Sequence, residues 1–176
     1  MKLFALSIFS LFLVLQGFKP ADPVIKKADK AMAKYYDTKG LRKEFITIPQ
    51  EINQEVPSDF SEGTFFKIYA DQEHLGYGFI GNAPSKTADF DYLVLFTPDL
   101  IIAKSKVLIY REEYGGEISS KRWLKQFDGK NAQSGELRYN QEIIPISGAT
   151  ISVRSMTKAV NELLGSLKYL QQNKVL

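Results

Sequence analysis

Four short segments rich in aromatic and β-branched residues lie in the middle of the chain and constrain its fold most. They cover residues 65–69, 76–80, 92–96 and 101–110, and polar turns separate them. Such residues are typical of β-strands. Successive strands with brief connections pair antiparallel, because a parallel pair needs a long crossover. The sequence therefore predicts an antiparallel sheet.

Helices are predicted on either side of this sheet. Apolar residues recur at three- and four-residue steps over residues 23–36 and 151–169, which is the spacing of an amphipathic helix. Asp22 is the expected N-cap of the first helix, and residues 119–127 predict a shorter one. The apolar stripe of the C-terminal helix is wide enough for a core or a partner helix, and core packing is the favoured interpretation.

The remaining segments are predicted to be connections. Residues 49–61 are polar and contain proline, which indicates a loop or a short edge element; residues 129–138 predict a polar loop and 142–146 an apolar strand. With 176 residues, 44% of them hydrophobic, the chain can build one core. The expected fold is α+β, a mainly antiparallel sheet packed with helices, in a single domain over residues 22–176.

Composition narrows the possible chemistry. The chain has no cysteine and one histidine, which excludes disulfides, iron–sulfur clusters and thiolate zinc and makes a histidine metal cluster or a Ser-His-Asp hydrolase hard to build. No metal site is predicted. Redox chemistry would have to come from a bound organic cofactor. His74 is expected to be an exposed turn residue without a role.

The N-terminus has the pattern of an export signal. Lys2 precedes an apolar run over residues 3–15 and a polar exit, and this run is shorter than the about 20 apolar residues of a membrane span. We expect residues 1–21 to be a signal peptide, uncleaved anchoring being the alternative, and the mature protein to reach the periplasm or the outer face of the cytoplasmic membrane. Cleavage would remove two of 23 basic residues against 20 acidic ones, leaving a formal charge of +1, which gives no reason to expect a nucleic-acid partner.

A Ser-Gly-Ala-Thr run directly precedes the C-terminal helix. The first N–H groups of a helix lack intrahelical partners and lie at its positive dipole end, so a tight turn there suits a phosphate group. Thr150 offers a hydroxyl oxygen, the backbone N–H groups from residue 148 to 152 point at the phosphate, and Ser147 and Ser152 could add hydroxyl donors. Alternatively, Ser152 is the N-cap of the helix, and Arg154 is expected on its solvated face. The candidate phosphate-binding residues are Ser147, Gly148, Ala149, Thr150, Ile151 and Ser152.

Residues 147–150 in this setting resemble the flavinylation signature of the FMN-binding domain family, whose members include subunits of the sodium-translocating NADH:quinone reductase and of the Rnf complex. Residues 66–79, 103–116 and 123–130 resemble family segments in order and spacing, so the resemblance spans roughly residue 65 to the C-terminus. It implies FMN attached through its phosphate to Thr150. It also implies a flavin transferase for maturation and a membrane redox partner protein, so that the chain is an electron carrier rather than a stand-alone enzyme.

The resemblance also suggests residues around the flavin ring. Glu112 could accept a hydrogen bond from the ligand or from backbone, and Gly115 permits close approach of the chain to a ligand. Tyr114, Trp123 and Tyr77 are candidates for the flat walls of the site, although aromatic residues on strands are more often core. A small basic face, Lys121, Arg122 and Lys125, is expected to be solvated or to steer an acidic redox partner.

One position departs from the family pattern. The family usually has an aspartate three residues before the serine, and Ile144 stands there in this chain. Either the transferase tolerates Ile144, which we favour because the acceptor hydroxyl and its turn are intact, or FMN is bound without a covalent bond or not at all. Two other functions stay open. One is a flavin reductase of a soluble substrate, with Tyr114, Glu113 or Lys121 as proton donors. The other is a flavin-free secreted binding module.

Overall fold

The centre of the computed structural model, which describes residues 19–176, is a five-stranded sheet. Its strands follow the order β1-β2-β3-β4-β5, and every neighbouring pair is antiparallel. The strands are β1 (Leu41–Phe45), β2 (Phe65–Ala70), β3 (Glu73–Ala83), β4 (Phe90–Phe96) and β5 (Ile102–Ile109). The prediction of an antiparallel sheet with helices is confirmed.

Within residues 19–176, four α-helices pack around the sheet. They are α1 (Asp22–Tyr35), α2 (Gln50–Gln54), α3 (Lys121–Leu124) and α4 (Thr150–Gln172). Short 3-10 turns, Gly116–Ser119 and Lys125–Phe127, flank α3, so the predicted short helix at 119–127 is broken into three pieces. Helix α4 forms as predicted and begins at the last residue of the Ser-Gly-Ala-Thr run.

The two faces of the sheet carry different cores. Helix α1 covers one face, where its Val24, Ala28 and Met32 pack with strand residues such as Ile68 and Leu93. The other, larger core is formed with α4 and the α3 region. The predicted stripe of α4 is entirely buried there, so its interpretation as core is confirmed; it comprises Val153, Met156, Val160, Leu163, Leu164, Leu167 and Leu170.

Some local predictions are wrong. Asp22 is the first residue of α1 and not its N-cap, which is Ala21. Residues 49–61, expected to be a loop or a short edge element, contain the helix α2, and the edge strand β1 was not predicted. His74 lies within β3 and packs between the rings of Tyr69 and Tyr77, at centroid distances of 5.2 and 4.9 Å. The turn between β2 and β3 is tighter than expected, which brings His74 into the strand.

The predicted strand at residues 142–146 is also absent. The segment makes one isolated bridge, between Tyr139 and Ile143. At Ile144 the backbone is bonded by side chains instead: its N–H donates to Gln126 Oε1 at 2.7 Å, and its carbonyl accepts from Trp123 Nε1 at 2.8 Å. These bonds replace the ladder that a strand would need.

The predicted signal peptide lies almost wholly outside the described residues. Within residues 19–176, no helix combines the length and the apolar composition needed to cross a bilayer.

Candidate functional site

The turn before α4 is built on a left-handed glycine. Gly148 has φ +76°, and a Cβ added there would have no neighbour within 4 Å. The next residue, Ala149, is the N-cap and donates its N–H to the Ile146 carbonyl at 3.2 Å. The chain therefore turns sharply into α4, and Thr150 is exposed as the first residue of the helix.

The start of α4 has free hydrogen-bond donors. The first helical bond runs from the Val153 N–H to the Ala149 carbonyl at 2.9 Å, which leaves the N–H groups of Thr150, Ile151 and Ser152 without an intrahelical acceptor. No side chain caps α4, and its first turn contains no acidic residue. Its positive dipole end is thus uncompensated within the described part of the chain.

The loop after β5, residues 111–116 and called the glutamate loop here, packs directly against this turn. Gly115 has φ +76°, and a Cβ there would lie 2.4 Å from the Cβ of Ala149. Ala149 itself is buried, with 3% of its surface exposed. Two small residues therefore allow the loop and the turn to touch, and a larger side chain at Gly115 would separate them.

Hydroxyl groups tie the first turn of α4 to the sheet. Ser152 is buried, and its Oγ lies 2.5 Å from Ser85 Oγ and 2.9 Å from the Tyr110 hydroxyl. That hydroxyl also donates to the Tyr114 carbonyl, at 3.1 Å. The proposal of Ser152 as N-cap is wrong, since Ala149 holds that place. Its hydroxyl instead fixes α4 against the residue after β5.

Glu112 holds the two loops beside the turn together. Its carboxylate accepts hydrogen bonds from the Thr87 N–H at 2.7 Å, the Thr87 hydroxyl at 2.8 Å and the Ala88 N–H at 3.3 Å. These bonds, above all that from the Thr87 backbone, lower the pKa of Glu112 to about 2. Glu112 was expected to accept a hydrogen bond from a ligand or from backbone, and in the structure it accepts from backbone N–H groups. The neighbouring Arg111 pairs with the buried Asp91 carboxylate at 2.6 Å and anchors the same loop.

Two cavities flank the turn. One, of about 350 Å³, lies beside the first turn of α4, and Tyr110, Glu112 and Tyr114 contribute to its wall. The other, of about 660 Å³, is bordered by Ser147 and by Trp123. Both volumes lie in the range of small-molecule sites, about 300–1,000 Å³. The turn itself forms the ridge between them.

The predicted aromatic residues have different surroundings. Trp123 is nearly buried, and its ring is fixed by its bond to the Ile144 carbonyl and by an edge contact with Phe127 at 5.4 Å. Tyr114 is 76% exposed. Tyr77 stacks on Phe65 at 5.7 Å in the core and borders neither cavity, so it does not belong to this site.

Sequence reasoning missed several residues of the site. Ser85 and Lys86 follow β3 and border the smaller cavity, but nothing in their local sequence distinguishes them from an ordinary turn. Gln126 borders the larger cavity and orients Ile144. Tyr110 could have been noticed, because it directly precedes the glutamate loop. Arg154 lies as expected on the solvated face of α4, over the Tyr139 ring at 4.4 Å.

Comparison with known proteins confirms the resemblance to the FMN-binding domain family. Residues 86–165 match the model of that family, described as FMN-binding domain; the match covers β4, β5, the glutamate loop and most of α4, and it begins later than residue 65. A crystal structure of NqrC from Shewanella oneidensis is similar, with a TM-score of 0.52 and 17% identity, covering 74% of this chain and 69% of that chain. This likeness shows a shared fold. No curated protein matches the chain.

Proposed function

We propose that this chain, which carries an FMN-binding domain, is an exported electron carrier in which FMN is attached through its phosphate to Thr150. One observation carries the proposal. The exposed residue Thr150, which carries a hydroxyl group, is the first residue of α4. This helix has no side-chain cap and offers three free N–H groups, within the region that matches the family. That combination supplies both an acceptor oxygen and a cradle for the phosphate.

FMN fits the residues that surround the turn. The N–H groups of Thr150, Ile151 and Ser152 would hold the phosphate oxygens, and Lys86 on the wall of the smaller cavity adds positive charge. A flavin transferase would move FMN from FAD to the Thr150 oxygen. The bond between the FMN phosphorus and Thr150 Oγ would form as the phosphorus–oxygen bond to AMP breaks, so that AMP would leave and the hydroxyl proton would pass to a base.

The ring of the cofactor would need a flat apolar wall beside the turn. The larger cavity offers Trp123, held in place by its bond to Ile144, and the smaller one offers Tyr110 and Tyr114. Bound flavin supplies the capacity to take up and release electrons, while the protein supplies attachment and orientation. Both cavities open to solvent at the exposed turn, which suits exchange of electrons with a partner protein.

The aspartate usual in the family is not needed for the shape of this turn. The Ile144 side chain is 65% exposed, and only the backbone of this residue is bonded, to Gln126 and Trp123. A change at this side chain therefore alters what an approaching transferase contacts and leaves the acceptor geometry in place. This supports attachment in spite of Ile144.

Export and partners rest on the sequence and on surface charge. The signal pattern of residues 1–21 supports delivery to the periplasm or to the outer face of the cytoplasmic membrane. A membrane-associated donor and an extracytoplasmic acceptor are the proposed redox partners. Lys121, Arg122 and Lys125 are exposed, and Arg122 borders the larger cavity, so an acidic surface on a partner would be steered toward the cofactor.

The deciding experiment is the intact mass of the mature chain after coexpression with a flavin transferase in an exporting host. Wild type and Thr150→Ser, which keeps a hydroxyl, are compared with Thr150→Ala. A mass gain of FMN less one water in wild type, absent from Thr150→Ala, is expected. An unmodified mass with no flavin released on denaturation would overturn the proposal. Flavin released from an unmodified chain would establish non-covalent binding and refute the attachment.

A further inference from the structure

A third cavity lies away from the turn before α4. It has a volume of about 320 Å³, opens to solvent and is lined by α1, by β4 and β5 and by the α3 region. None of its lining residues borders the other two cavities. Its apolar lining includes Leu93, Leu95 and Leu124, which belong to the buried core. The cavity is thus apolar at its base and separate from the residues assigned to FMN.

Four lysines contribute to the wall of this cavity: Lys34 from α1, Lys104 and Lys106 from β5, and Lys121 from α3. Lys104 pairs with Leu95 and Lys106 with Leu93 across the strands, so these lysines share a sheet face with the leucines. Their aliphatic stems can lie along the apolar base while the ammonium groups stay at the opening.

The four lysines have no close counter-charge. Among the described residues, none of them forms an ion pair within 4.0 Å, and the lining contains no carboxylate. Asp128, which is outside the lining, interacts electrostatically with Lys104. Like charges gathered around one opening repel each other, and a bound anion would relieve that repulsion.

Apolar surface extends to the rim of the cavity. Tyr35, at the end of α1, is 43% exposed there. A ligand with an acidic head would pair with the lysine ammonium groups, and its apolar body would lie against this ring and the lysine stems. The volume lies at the lower end of the range for ligand sites, about 300 Å³. It therefore fits a compact molecule.

We propose that this cavity binds a small amphiphilic anion, a single medium-length acyl chain with an acidic head. The ligand class follows from charge complementarity at the rim and from the apolar base. The short helix α3 lies between this cavity and the larger flavin-side cavity, since Lys121 and Leu124 border one and Trp123 the other. Binding is thus expected to alter the surroundings of Trp123, the sole tryptophan of the chain.

Titration of the full chain with decanoate below its micelle-forming concentration tests the proposal, read by calorimetry and by Trp123 emission. The test variant is Lys104→Gln with Lys106→Gln. Its matched control is Lys26→Gln with Lys27→Gln, the same charge change on an exposed part of α1 outside the lining. Thermal melting confirms that each variant folds. Decanol, which lacks the carboxylate, measures how much the alkyl chain of the ligand contributes to binding by itself.

We expect saturable decanoate binding by wild type and by the control, weakened at least tenfold in the test variant, with decanol binding at least tenfold more weakly than decanoate. Absence of saturable binding by wild type would overturn the proposal. So would equal weakening in the control, because it would show unspecific attraction to positive charge. Binding to phosphatidylglycerol vesicles without binding to decanoate would assign the lysines to a membrane surface and refute the cavity.

Discussion

The two longest helices of the described residues, α1 and α4, differ in how they begin. The first turn of α1 contains the carboxylate of Asp22, and its second residue is Pro23, which has no N–H to satisfy. Neither helix has a capping side chain, but the first turn of α4 also lacks an acidic residue and a proline. Negative charge at a helix start compensates the dipole, so Asp22 compensates the start of α1. The start of α4 has no such charge among its own residues, and its first N–H groups stay open to an anion.

The two starts also differ in how they are supported. The α4 turn touches the glutamate loop through Gly115 and Ala149, and Ser152 is bonded to Ser85 and to Tyr110. The start of α1 is exposed at residues 21–23. An uncompensated helix start that is nevertheless rigidly held is what a preorganised anion site requires.

The largest expected effect comes from breaking this support. Gly115→Ala brings a Cβ within 2.4 Å of Ala149 at a left-handed φ, and the strain plus overpacking should cost about 2–4 kcal/mol of unfolding free energy. Gly148→Ala is the control, because it has the same φ of +76° and open space, and its expected cost is about 1–2 kcal/mol. Chemical denaturation measures both. Equal losses would show that the contact with Ala149 does not support α4.

The next prediction makes the α4 start resemble that of α1. Ile151→Asp places a carboxylate in the first turn of α4, which should stabilise the protein by about 0.3–1 kcal/mol at low salt. The same charge repels phosphate, so FMN occupancy should fall at least tenfold. Ile151→Asn is the uncharged control. Unchanged occupancy in the aspartate variant would mean that the free N–H groups do not hold the phosphate.

Acid should lower the unfolding free energy, because protonation of Glu112 weakens its hydrogen bonds to the loop at Thr87. Its pKa of about 2 lies below its ordinary value of 4.5, so its contribution to stability is complete above pH 4.5 and is lost as the pH falls toward 2. Glu112→Gln lacks this titration. The difference in unfolding free energy between wild type and variant should therefore shrink over that range, and the subtraction removes other acids such as Glu142. A constant difference would contradict the role of Glu112.

The smallest effect on stability is expected at Ile144. Because its side chain is exposed and only its backbone is bonded, Ile144→Asp should change the unfolding free energy by less than about 0.5 kcal/mol. The fraction of chains carrying FMN should stay equal or rise, since the variant restores the usual family residue. Intact mass at limiting transferase gives that fraction, with Ile144→Asn as control. A lower fraction would show that the transferase prefers an apolar side chain.

Local patterns predicted most of the fold. The central strands and the stripe of α4 were visible because each element buries one regular face. The strand β1 was not visible, because Arg42, Lys43 and Glu44 give this edge strand a polar sequence. The apolar segment 142–146 was misassigned because the side chains that bond Ile144 lie 18 and 21 residues earlier.

The candidate site could be predicted only where its residues are contiguous in sequence. The turn before α4 is contiguous in sequence, so Thr150 and its neighbours could be identified. The contact of Gly115 with Ala149 and the bond of Ser152 to Ser85, 67 residues apart, depend on how the sheet brings loops together. Tyr77 was misplaced because its strand position fixes it against Phe65.

The openness of the turn has a consequence for how cofactor content would be maintained. A ligand at an exposed residue such as Thr150 meets few walls that slow its departure, and under the proposed export the surroundings need not resupply it. Under the proposed phosphoester bond, departure no longer occurs, so each molecule would keep the loading that it received at maturation. The flavin content of a population would then record transferase supply at the time of synthesis and not the flavin concentration around the protein.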